Sequence, residues 1–175
     1  MGPGGRAWFN GTPAPPVQFD AMEHPMELIL WRHADAEDGS PDLKRELTDK
    51  GRKQAERMAA FLRSRIPQDT RILVSPAKRT QQTARALTKH FITEAAIAPN
   101  CSVHALLNAA NWPNAGGCVL LVGHQPILGA AAAQLLCDST FSFSVKKGAV
   151  WWLTHRSQEG MDQTSLRLVI APDLL

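Results

Sequence analysis

The sequence predicts an α/β domain, a mostly parallel sheet with an antiparallel edge and helices on both faces. Apolar runs of strand length ending near Arg32, Val74 and Val122 are each followed by a segment of helical period, the pattern of βαβ units. The last third holds two further strand-like runs whose short polar connection suits only an antiparallel pair. The 175 residues, 44% hydrophobic and 20% charged, suffice for one domain with a sizeable core and not for two large ones.

Residues 1–25 are rich in Gly and Pro and carry neither period, so they read as a flexible N-terminal arm, and 26–175 as the single domain. The alternative for the arm is docking of Trp8, Phe9 and Phe19 in a surface groove. Met26–His33 is a buried strand stopping at an arginine and a histidine. Side chains alternate along a strand, so His33 is expected just past the strand end, where open α/β sheets bind ligands. An acidic loop, 34–41, follows. Thr48 can cap a helix that buries Ala55, Met58, Ala59, Leu62 and Ile66 and ends at Pro67. Arg71–Val74 is the second strand. Ser75 and Pro76 read as the cap and first position of a helix with Thr80, Thr83, Ala84, Leu87 and Phe91 inward, which puts Lys78 and Arg79 in its third and fourth positions. A short helix over Val103–Ala110 turns Leu106 and Leu107 inward; Cys118–Val122 is the third strand, and Pro126 opens an apolar helix through Leu136. Ala149–Thr154 and Leu166–Ile170 complete the sheet at one side.

Composition narrows the function classes. No apolar run approaches the ~18 residues of a membrane span, and the arm lacks a secretory pattern. Three scattered cysteines, Cys101, Cys118 and Cys137, suit free thiols, and with the rest suggest a cytoplasmic protein. The net charge of +3 is modest, but Lys and Arg concentrate between Lys44 and Lys89, favouring an anionic ligand. Without a basic run or a reading motif, nucleic acid is not an expected partner.

Parallel strands place their C-terminal ends on one rim, so Arg32, His33, Arg79 and His124 should converge. Lys78 and Arg79 sit at a positive helix end, where an anion would offset their cost; backbone N–H groups and an arginine fork both suit phosphate. A neutral imidazole is a competent nucleophile towards phosphorus, and neighbouring cations keep it neutral. The rival within chemistry, a metal centre on His33, Asp35 and His124, has a sparse ligand set beside two opposing arginines.

Leu28–His33, the run from Ser75 through Arg79 to Ala84, Val122-Gly123-His124 and Leu47–Gly51 together resemble the histidine phosphatase superfamily. Arg-His-Ala-Asp-Ala at Arg32–Ala36 and Gly-His-Gln-Pro at 123–126 point to its SixA-type branch of phosphohistidine phosphatases. The resemblance implies a three-layer α/β/α sandwich of the phosphoglycerate-mutase-like kind. It further implies a hydrolase in which His33 becomes phosphorylated, Arg32, Arg79 and His124 hold the phosphoryl oxygens, and water releases inorganic phosphate without metal or cofactor. The implied partner is a protein carrying phosphohistidine, with a small phosphate ester or a non-catalytic phospho-ligand module as alternatives. Ala34 replaces the superfamily's usual glycine. The segment 97–108, where larger relatives carry a general acid, has no Asp or Glu, which leaves Asp35, Glu37 and Asp38 as candidates for that role.

Overall fold

Strand β1, Met26–Arg32, lies at the middle of a six-stranded sheet because every residue from Leu28 to Trp31 is apolar and both of its faces are covered. The computed structural model describes residues 25–158 and 161–175; apart from Pro25, the predicted N-terminal arm lies outside them. Strands β2 (Arg71–Val74), β3 (Ile92–Thr93) and β4 (Cys118–Gly123) run parallel to β1, while β5 (Val150–Gln158) and β6 (Met161–Ile170) form an antiparallel ribbon at one side. The order is β3-β2-β4-β1-β5-β6. The chain therefore has the mixed α/β architecture expected of it.

Alternation along the strands sorts the core into two layers. Leu28 and Leu30 of β1, with Leu73, Val119 and Leu121, pack against Leu106 and Ala110 of α3 (Val103–Ala110) and Leu128, Ala131 and Ala132 of α4 (Ile127–Cys137). Ile29 and Trp31, with Ile72, Val74, Leu120 and Val122, face Met58, Ala59 and Leu62 of α1 (Asp49–Arg63) and Ala84 of α2 (Lys78–Leu87). Fully burying such a side chain contributes about 1.5–3 kcal/mol, so both layers hold the strand ends in fixed register.

Thr48 caps α1 as expected, its Oγ1 accepting from the Gly51 N–H at 2.9 Å. The same hydroxyl donates to Asp35, and the Thr48 N–H donates to the Asp35 carbonyl, so the loop after β1 is pinned to the helix start. A Cβ at Gly51 would lie 1.9 Å from that carbonyl oxygen, which leaves room only for glycine.

The helix after β2 begins later than its sequence suggests. Its cap is Ala77, with no side-chain hydrogen bond, and Lys78 and Arg79 are its first two residues. Ser75 does not cap because its hydroxyl is engaged by His124, and Ala77 is still extended, with φ −64° and ψ 140°. Strand β3 carries no apolar period and escaped the sequence reading, and the ribbon strands extend beyond their apolar stretches to Gln158 and from Met161.

Candidate active site

Arg32, His33, Arg79 and His124 meet on one rim of the sheet. Strand β1 ends at Arg32, whose Nη1 donates to the Val145 carbonyl at 2.6 Å while its buried Nε has no partner among the described residues. His33 lies one residue beyond the strand, as alternation requires. Its N–H donates to the Gly123 carbonyl at the end of β4, and its own carbonyl accepts from Gly148 at 3.0 Å. Ala34, fully buried, donates its N–H to Thr83 of α2.

The two imidazoles lie side by side with ring centroids 5.3 Å apart and planes tilted by 56°. His33 Nδ1 lies 2.7 Å from the Ala34 carbonyl, an acceptor only, so that nitrogen carries the proton. Nε2 then holds the lone pair and accepts from Arg79 Nε at 3.3 Å. Burial pushes the His33 pKa down to about 4, with the Ala34 hydrogen bond opposing and the charges of Arg79, Arg32 and Arg45 assisting. His124 is pushed down to about 3, first by burial, then by His33 and Arg79. Both rings are neutral near pH 7.

Arg79 is 5% exposed and binds both histidines, its Nη2 lying 3.3 Å from His124 Nδ1. Its Nη groups also reach Asp42, Nη1 to the carbonyl at 2.7 Å and Nη2 to Oδ2 at 3.0 Å. Asp42 sits on a single 3-10 turn, Asp42–Lys44, and is shared with Arg45 at 3.2 Å. Burial raises the Asp42 pKa, but the hydrogen bond and charge of Arg79 outweigh it and hold the carboxyl below its ordinary value. Asp42, Arg45 and Ser75 were not among the predicted site residues. Asp42 and Arg45 lie in a polar loop whose approach to the rim depends on tertiary contacts, whereas Ser75 could have been suspected from its place directly after a strand.

The acidic candidates lie differently. Asp35 accepts from Lys147 Nζ at 2.5 Å and from Thr48 at 2.9 Å, and the Lys147 hydrogen bond first of all lowers its pKa, so it serves the loop and helix start. Glu37 and Asp38 are exposed and line an outer cleft of about 440 Å³ beside Arg45 and Arg52. Among the described residues no group of three or more His, Cys, Asp or Glu is arranged to hold a metal ion. The cluster offers a neutral nucleophilic nitrogen beside fixed guanidinium donors, a combination suited to a tetrahedral oxyanion.

Comparison with known proteins agrees with the motifs. No curated protein matches the chain in sequence. A structure assigned to a phosphohistidine phosphatase SixA from Nakamurella multipartitia superposes with a TM-score of 0.72 at 24% identity, covering 85% of this chain and 96% of that one. A protein histidine phosphatase SixA complexed with tungstate gives 0.71 at 24%, covering 85% and 99%. A phosphoserine phosphatase mutant from Entamoeba histolytica gives 0.63 at 16%, covering 86% and 99%. At these identities the likeness is one of fold. In sequence, residues 28–100 match the family model of the histidine phosphatase superfamily, branch 1, and the fold is the one shared with these phosphatase structures.

Proposed function

We propose that the protein is a phosphatase with His33 as nucleophile, acting on phosphohistidine of a partner protein. The state of the His33 ring carries this reading: Nδ1–H is tied to the Ala34 carbonyl, and the Nε2 lone pair is turned to Arg79. In the first step a bond forms between Nε2 and phosphorus while the bond to the leaving nitrogen or oxygen breaks, and the leaving group takes up a proton. In the second, water attacks phosphorus, the P–N bond to His33 breaks, and inorganic phosphate departs. Arg79, Arg32 and His124 hold the phosphoryl oxygens as charge shifts onto them. Fixed guanidinium groups supply the electrostatic role that divalent cations fill in many phosphoryl transfers, so the chemistry calls on no metal or cofactor.

The carboxylates nearest the rim support this choice of substrate class. Asp35 is committed to Lys147 and Thr48, and Asp42 is held ionised by Arg79 and Arg45, so neither is poised to protonate a poor leaving group. The imidazole of phosphohistidine leaves more readily than an alkoxide and has the least need of an acid. The fold shared with a phosphoserine phosphatase favours a second reading, a small phosphate ester as substrate. Phosphate release from a phosphohistidine protein, set against phosphoserine and a panel of sugar phosphates, separates the two. Phosphohistidine should be preferred in kcat/KM; preference for an ester overturns the substrate assignment. Phosphate binding without turnover of either would make the chain a phospho-ligand binding module.

A further inference from the structure

We propose that Ser75 is a positioning residue that sets which nitrogen of His124 carries the proton, so that a bound phosphoryl oxygen meets an Nδ1–H donor on a ring that stays neutral. The inference deepens the phosphatase reading and rests on it.

Ser75 is fully buried at the end of β2 and fixed through its backbone. Its N–H donates to the Val122 carbonyl at 3.1 Å, and its carbonyl accepts from Thr80 Oγ1 and Gln81 Nε2, each at 2.8 Å. Among the described residues the hydroxyl has one partner, His124 Nε2 at 2.7 Å. A hydroxyl both donates and accepts, so this pair has two proton arrangements.

In the first, Nε2–H donates to Ser75, and Nδ1 accepts from Arg79 Nη2. The hydrogen of the buried hydroxyl then has no acceptor among the described residues, an unfavourable condition. In the second, Ser75 donates to Nε2 and the ring proton sits on Nδ1. Nδ1–H and Arg79 Nη2–H then point into the same space, which is unfavourable without an acceptor and favourable with one. A phosphoryl oxygen is such an acceptor, and its arrival selects the second arrangement. The alternative way to obtain a donor at Nδ1 is to charge a ring buried beside Arg79 and Arg32, which burial and those two charges oppose and the Asp42 carboxylate only partly offsets. The Ser75 hydroxyl therefore lets His124 change from acceptor to donor by moving protons along one hydrogen bond, with no net charge gained.

The test is nitrogen-15 NMR of the histidine rings in the full chain, with and without inorganic phosphate. Wild type should move from an Nε2–H to an Nδ1–H tautomer at His124 on saturation with phosphate. Ser75→Ala should retain Nε2–H or become doubly protonated, with phosphate affinity reduced about 10-fold, roughly the worth of one lost hydrogen bond. Ser75→Thr, which keeps the hydroxyl, should restore Nδ1–H. A phosphate-bound wild-type spectrum showing the neutral Nε2–H tautomer overturns the proposal even if no variant folds, and so does a neutral Nδ1–H tautomer that persists in Ser75→Ala. Absence of any phosphate-dependent change at both His33 and His124 removes the phosphate site and this inference together, an outcome distinct from the wrong tautomer.

Discussion

Imidazole and guanidinium groups lie together in two regions of this molecule, and the two are built in opposite ways. On the β5–β6 ribbon, Arg167 pairs with Glu27 and its guanidinium lies 4.7 Å over the Trp152 ring. His155 meets Trp112 edge-on, hydrogen-bonds Thr164 and lies 3.8 Å from an Asp162 carboxylate oxygen. Both groups there find their carboxylate within the protein. On the rim, His33, Arg79 and His124 are each 7% exposed or less, and the one carboxylate in contact among the described residues, through Arg79, is that of Asp42, whose side chain is 51% exposed on a short turn. Charge on the ribbon is settled by the fold, whereas the rim concentrates buried donors around one half-exposed anion.

Removing His33, the proposed nucleophile, should have the largest effect. His33→Ala is expected to lower phosphate release by at least ~10³-fold and to abolish an acid-labile phosphoryl label on the protein. Label surviving in that variant would place the nucleophile elsewhere. Arg79→Ala should cost about 10²–10³-fold in kcat/KM, and Arg79→Lys should recover little, because an ammonium cannot reproduce the fork that spans both histidines and Asp42. Arg167→Ala should leave kcat/KM within about 3-fold and change stability by no more than about 1 kcal/mol, since its ion pair is exposed. Equal losses from the two arginine variants would break the contrast between the regions.

The rim was legible in sequence because the chemistry sits at the ends of elements with clear period. β1, β2 and β4 are apolar throughout most of their length, and strand alternation alone placed His33 beyond β1. What escaped depends on contacts distant in sequence. Asp42 reaches Arg79 from 37 residues away, from a polar loop that carries no period to announce the contact, and Ser75 reaches His124 across 49. The misplaced start of α2 has the same origin: Ser75 satisfies the local rule for a cap, but its hydroxyl is drawn to a histidine that the sheet brings alongside. Asp35 shows the converse, a carboxylate two residues after His33 whose oxygens are claimed by Thr48 and Lys147.

The depressed histidines make the rim a source of pH-dependent stability. Folded pKa values of about 4 for His33 and about 3 for His124 lie below the ordinary 6.5, so between those limits the unfolded chain binds protons that the folded chain excludes. Their contribution is therefore complete above pH 6.5 and is lost as pH falls through the window, with a slope of up to about 1.4 kcal/mol per pH unit for each ring. Urea unfolding midpoints measured from pH 7.5 to 4.5 should decline, and His33→Asn should flatten that decline. An unchanged slope in the variant would mean that the ring is not held neutral by its surroundings.

Among the rim variants the smallest expected effect is that of Asp42, and it bears most directly on whether the rim's own carboxylate is a placeholder. Asp42 occupies the Arg79 Nη groups that the proposed phosphoryl substrate would need, yet it is tethered by one short turn and half in water, where an ion pair is worth less than about 1 kcal/mol. Asp42→Asn keeps the carbonyl contact and removes the charge, so inorganic phosphate should inhibit the variant about 2–5-fold more strongly than wild type. The gain should shrink as salt is raised, because the competing charge is solvent-exposed. Weaker inhibition in Asp42→Asn would instead show that the carboxylate helps to hold Arg79 in its binding geometry, and the rim would then resemble the ribbon more than its burial suggests.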